Sequence, residues 1–160
     1  MIIADDKDIM RLITCPKSIL KKPPKPKAVN ASVTQRFCVT SQEPSLEFQV
    51  FISYSKRMPQ DFSIGLMYED YLLYRCNGFH GTTRKGFYSA PHHAHPHAHI
   101  LLINDIQNGR GAKPSQIEDL TGEYIDIITA TAFFCKKCGI MNYREYLSFP
   151  ECEGQLTWNI

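Results

Sequence analysis

Leu46-Glu47-Phe48-Gln49-Val50-Phe51-Ile52-Ser53-Tyr54 decides the fold class. Leu46, Phe48, Val50, Ile52 and Tyr54 recur at every second position, while Glu47, Gln49 and Ser53 fall between them. Successive side chains of a strand point to opposite faces, so this pattern predicts a strand with one dry and one wet face. A second strand is expected over about 33 to 40, joined to the first by Ser41-Gln42-Glu43-Pro44-Ser45, which is short enough for a hairpin. Phe62, Ile64, Leu66 and Tyr68 make a third alternating set, and Glu69-Asp70 turns the chain into Tyr71-Leu72-Leu73-Tyr74-Arg75-Cys76.

A sheet with one dry face needs a cover. Ser115 with Glu118 reads as a capping box, and Ile117, Leu120, Tyr124, Ile127, Ile128, Thr131, Cys135 and Cys138 form a stripe. They predict a long helix from Gln116 to Cys138, stopped by Gly139. A short helix over 5 to 14 has Asp5 or Asp6 as its cap and Pro16 as its stop. Asn142 to Leu147 reads as a helical turn and Gln155 to Ile160 as a last strand. The expected architecture is a single α+β domain over 1–160, an antiparallel sheet of five or six strands with the long helix on one face. Residues 16–28, rich in lysine and proline, read as a solvated internal linker in polyproline geometry.

At 160 residues the chain can bury a core without staples, and a formal net charge of +2 identifies no partner. Cys15, Cys38, Cys76, Cys135, Cys138 and Cys152 are scattered, and read as reduced thiols. Cys135 and Cys138 have the spacing of a metal knuckle but fall on the apolar stripe of the expected helix, which makes them core residues. The start of the chain is acidic where a secretory signal would be basic, and no apolar stretch is long enough to span a bilayer. A cytoplasmic location with no membrane contact is expected.

All six histidines lie between His80 and His99. Imidazole titrates near neutrality, ligates transition metals and moves protons, so this is where chemistry is expected. Asn77 to Pro91 reads as a long loop delivering them to a strand over His97 to Ile103. In a continuous strand His93, His95, His97 and His99 would share a face, about 7 Å from one to the next. Pro96, which has no amide donor, belongs at the first residue of a strand or at an edge, and divides the run. His97 and His99 are then the working pair, with His80 as a third member and His92, His93 and His95 more peripheral. A set of His95, His97 and His99 would hold one divalent transition metal, zinc ranked first, with Asp105 or Glu123 behind it.

His95-Pro96-His97-Ala98-His99-Ile100-Leu101 resembles the motif of the histidine-triad nucleotide hydrolases and transferases. That resemblance implies His97 as nucleophile on an α-phosphate, with the flanking histidines holding phosphate oxygens. From about 5 to 140, the order Phe62-Ser63-Ile64-Gly65-Leu66, Leu72-Leu73-Tyr74-Arg75, Asn77-Gly78, His80, a basic glycine loop and His97-Ala98-His99-Ile100 resembles small bacterial and phage proteins of unknown function. Their general plan is distantly similar to TumE-type proteins of toxin–antitoxin pairs. The run from His92 to His95 departs from that plan.

This broader resemblance implies a small mobile-element or toxin–antitoxin protein acting on RNA or nucleotide phosphates. His80, His97 and His99 would be catalytic, with or without a metal, and Arg75, Arg84 and Lys85 would meet phosphate. The competing class is a non-enzymatic module that binds a protein partner such as an antitoxin, its histidines tethering a loop. Gly109-Arg110-Gly111 with Lys113 offers a further anion site, against a plain loop entering the helix.

Overall fold

The computed structural model describes residues 2–42, 45–80 and 88–147. Helix α1 (Asp6–Thr14) opens the chain, with Asp5 accepting the Asp8 amide at 2.9 Å and Ile9, Leu12 and Ile13 buried. Strands β1 (Lys17–Ser18), β2 (Lys27–Val29), β3 (Ser32–Gln42), β4 (Ser45–Ser55), β5 (Phe62–Tyr68) and β6 (Tyr71–Asn77) follow. After a 3-10 turn at Pro91–Ala94 come β7 (His97–Ile100), α2 (Ile103–Gln107), β8 (Gln116–Asp119), α3 (Ile127–Lys137) and α4 (Tyr143–Tyr146). The mixed α+β class agrees with the alternation in the sequence. Among the described residues the sheet has eight strands rather than five or six, in the order β1-β3-β4-β5-β6-β7-β8 with β2 also on β3, all antiparallel.

The long helix expected from Gln116 to Cys138 is corrected to α3, and its first part is strand β8. The Ser115 amide goes to the Asp105 carboxylate at 3.0 Å instead of starting a helix. Residues 116–119 then complete the β7 ladder, with His97 opposite Asp119 and His99 opposite Ile117. Gly122 turns the chain at a φ of 90°. The working cap is Asp126, whose side chain accepts the Thr129 amide at 2.7 Å. The strand expected over His97 to Ile103 ends at Ile100, because α2 begins at Ile103. The last strand expected over Gln155 to Ile160, like Cys152, lies outside the described residues.

Residues 16–28 are not simply a solvated linker. Lys17 is fully buried, and its ammonium donates to the carbonyls of Ile13 and Cys15 at 2.9 Å and of Cys138 at 3.0 Å. One cation thereby serves the C-terminal ends of α1 and α3, where helix carbonyls lack partners and carry partial negative charge. Burial lowers its pKa below the usual lysine value. Asn142 fastens the next residues, accepting the Ile19 amide at 2.8 Å and donating to the Ile19 carbonyl at 3.0 Å. Gly139 closes α3 at a φ of 66°, where a Cβ would stand 2.5 Å from the Cys15 carbonyl oxygen.

Cross-strand partners lie on the same face. One face carries the rows Ile52–Ile64–Cys76–Ala98 and Phe37–Val50–Leu66–Tyr74–Ile100, all buried. They join Ile9, Leu12 and Ile13 of α1 and Ala130, Phe134 and Cys135 of α3 in one apolar cluster, in which Phe134 stacks on Tyr74. Cys135 and Cys138 are core residues here, and burial raises both thiol pKa values, that of Cys135 to about 12. The opposite face carries the site.

Candidate metal centre

The same pairings set two rows on the far face, Ser63–Asn77–His97–Asp119 and Gly65–Arg75–His99–Ile117. Asn77 and Arg75 alternate on β6, and His97 and His99 on β7, so pleat and register place two imidazoles beside an amide and a guanidinium. Tyr124 anchors the ends of these strands by donating to the Asn77 carbonyl at 2.9 Å, with the His97 carbonyl 3.3 Å away. β7 begins directly after Pro96, whose carbonyl accepts the Leu120 amide at 3.0 Å.

The segment before Pro96 folds back over the strand. Pro91 opens the 3-10 turn, which needs no amide from it, and the His80 amide donates to the His93 carbonyl at 3.2 Å. His92 is thereby set over the strand, its ring centre 4.9 Å from that of His97 and 5.6 Å from that of His99. His93 packs on His80 at 4.1 Å, and Ser89 bonds its Nδ1 at 2.7 Å.

Tautomers follow from the partners. His97 Nδ1 lies 2.8 Å from the His95 carbonyl and His99 Nδ1 3.3 Å from that of Pro114. A carbonyl only accepts, so each Nδ1 carries the proton and each Nε2 carries the lone pair. His97 Nε2 has Asn77 Nδ2 at 3.3 Å and His80 Nε2 at 3.2 Å, whereas His99 Nε2 is buried and has no hydrogen-bond partner among the described residues. An orphaned buried acceptor is costly unless something takes its lone pair. One ring nitrogen each from His92, His97 and His99 lies within 4.8 Å of the others. Backbone carbonyls behind the ligating rings are the support that metal-binding histidines use.

Electrostatics point the same way. Burial, followed by the positive charge of neighbouring groups, pushes His80, His97 and His99 down to about 4. His92 is lowered by burial and by His93 and His95. These rings are neutral at pH 7, the form that binds metal. Arg75 lies beside them with no acidic partner among the described residues, and its Nε is buried without a hydrogen bond. Burial lowers its pKa.

Compared with known proteins, the chain matches no family model, no curated protein and no solved structure. Geometry alone therefore sorts the residues singled out by sequence. His80, His97, His99 and Arg75 come together, while Arg84 and Lys85 lie outside the described residues. The histidines whose ring nitrogens lie within 4.8 Å of one another are His92, His97 and His99 rather than the expected His95, His97 and His99, and His95 Nδ1 lies 3.3 Å from an Asp119 carboxylate oxygen.

Asp105 is not directly behind a ligand. It is fully buried, pairs with Arg110 at 3.1 Å and holds the Ser115 amide, and so positions the segment whose Pro114 carbonyl meets His99. Arg110 is committed to that pair. Glu123 is exposed. Asn77 and Ser63 were missed, since only strand register reveals that they face His97.

Proposed function

We propose that the chain is a metal-assisted enzyme acting on phosphate esters of RNA or nucleotides, with one divalent ion, zinc first, held by His92, His97 and His99. The observation that carries this reading is a trio of histidines, His92, His97 and His99, with one ring nitrogen of each within 4.8 Å of the others, in which His99 Nε2 is buried with no hydrogen-bond partner among the described residues. A three-histidine site leaves a coordination position open, where a bound ion polarises a phosphoryl oxygen and lowers the pKa of water. Arg75 supplies the positive charge that an anionic ester needs, and is paired with no carboxylate among the described residues.

Neutral histidines with pKa values near 4 are poor general acids at pH 7, which favours metal assistance over a metal-free acid–base pair. His97 is completely buried, which leaves little room for the in-line attack on a phosphate that a nucleophile must make. The resemblance to toxin–antitoxin proteins suggests RNA as the first substrate to try.

The test is elemental analysis of untagged protein, followed by RNA and nucleotide cleavage assays with and without chelator. About one equivalent of metal and chelator-sensitive cleavage are expected, and less than about a tenth of an equivalent after zinc loading and desalting overturns the site. Metal without turnover would instead select the binding-module reading, in which the ion ties the 88–96 segment to the sheet.

A further inference from the structure

Asn77 is a buried amide whose orientation is set from both sides. Ser63 donates to its Oδ1 at 2.8 Å, and its Nδ2 faces His97 Nε2 at 3.3 Å. Turning the amide over would bring its oxygen against the imidazole lone pair, so the Nδ2 group is the one that faces the cluster. Ser63, Asn77 and His97 are cross-strand neighbours in one row, which leaves the amide little freedom to look elsewhere.

This contact conflicts with metal binding. The His97 Nε2 lone pair can be given to the Asn77 amide, to His80 Nε2 at 3.2 Å or to an ion, and coordination takes it fully. An Nδ2 group that loses this acceptor is left buried, directed at the centre and in need of another oxygen. An oxygen carried by the ion would supply it. Arg75, two residues earlier on the same face of β6, also presents a buried donor without a partner. Two donors of this kind, one neutral and one cationic, suit a tetrahedral oxyanion.

Resting on the metal-site reading above, we infer that Asn77 is a substrate-binding donor, which releases His97 when the ion loads and then hydrogen-bonds a phosphoryl oxygen, with Arg75 as its charged partner. Ser63 is the positioning residue for that amide. The inferred ligand class is a phosphate monoester or diester, for which inorganic phosphate serves as the simplest probe.

The experiment uses the full chain loaded with cobalt(II), whose visible spectrum reports the ion and any anion on it without turnover. Wild type should bind one cobalt, and inorganic phosphate should shift the spectrum. Asn77→Ala should weaken phosphate binding about tenfold or more, as expected for a lost hydrogen bond to a charged group. It should bind cobalt as tightly as wild type or more tightly, because no amide competes for His97. A merely structural Asn77 would instead lower cobalt affinity.

Unchanged phosphate affinity in Asn77→Ala, or lower cobalt affinity, overturns the inference and leaves the metal site standing. Failure of wild type to bind cobalt overturns the metal site itself. Should Asn77→Ala not fold, Ser63→Ala is decisive: it frees Oδ1 but keeps the amide, and is expected to weaken phosphate binding several-fold with cobalt affinity unchanged, whereas wild-type phosphate affinity refutes the role.

Discussion

The two faces of the sheet are made by the same strands and solve opposite problems. On the face under α1 and α3, Tyr74, Ile64 and Leu66 pack with Phe134 and the helix residues, and the charge there, Lys17, is met by three carbonyls. On the other face two nitrogens, His99 Nε2 and Arg75 Nε, are buried without a hydrogen-bond partner among the described residues, whereas on the core face the Tyr74 hydroxyl is such an atom. Burial on the first side stabilises the fold, and in the function proposed above it holds groups ready for a ligand on the second. The difference teaches where stability and chemistry separate in a chain whose strands alternate between them residue by residue.

Acid should break the comparison most strongly. His80, His97 and His99 bind protons in the folded state only near pH 4, below the ordinary histidine value of 6.5 that the unfolded chain retains. As pH falls below 6.5 the unfolded state takes up protons first, so stability is fully present above that pH and is lost progressively toward pH 4. Urea midpoints measured from pH 7 to pH 4.5 should fall steeply, and His97→Ala with His99→Ala should flatten the curve. A wild-type midpoint independent of pH would mean that these rings are not buried neutral.

Next comes the core itself. Phe134→Ala should cost about 3–5 kcal/mol by urea unfolding, while the remaining folded protein still takes up metal. The double change at His97 and His99 should instead lower zinc affinity of the folded protein by more than about 100-fold, roughly 2.7 kcal/mol, at pH 7.5. Calorimetric titration with zinc checks both. Loss of metal binding in Phe134→Ala would show that the faces are coupled.

Lys17→Met should destabilise by about 2 kcal/mol, since it abandons the carbonyls of Ile13, Cys15 and Cys138 at the ends of two helices. Asp126→Ala removes the α3 cap and should cost about 1 kcal/mol. Thermal melting resolves both, and neither should change zinc affinity.

Much of this was legible residue by residue. The alternation from Leu46 to Tyr54 marks β4, Asp5 marks the start of α1, and Pro96 marks the start of β7. Local steric rules act within a few residues, so local sequence carries them. The 116–126 segment misled for the same reason. Ser115 and Glu118 have capping-box spacing, but the Ser115 amide is taken by Asp105, ten residues earlier, and Gln116–Asp119 by the β7 ladder. Lys17 looked like one of a solvated series until two helix ends met around it. No helix among the described residues is long and apolar enough to cross a membrane.

The sequence by itself determined which side chains within a strand share a face, including His97 with His99, because the pleat has a period of two; that Asn77 belongs to the strand of Arg75 came only from the structure. Only the tertiary structure decided what those side chains meet. Antiparallel register set Asn77 beside His97 and Arg75 beside His99, and a loop closing over the sheet put His92, rather than His95, at the third position. Register and loop closure depend on contacts between distant residues, and a local pattern does not encode them.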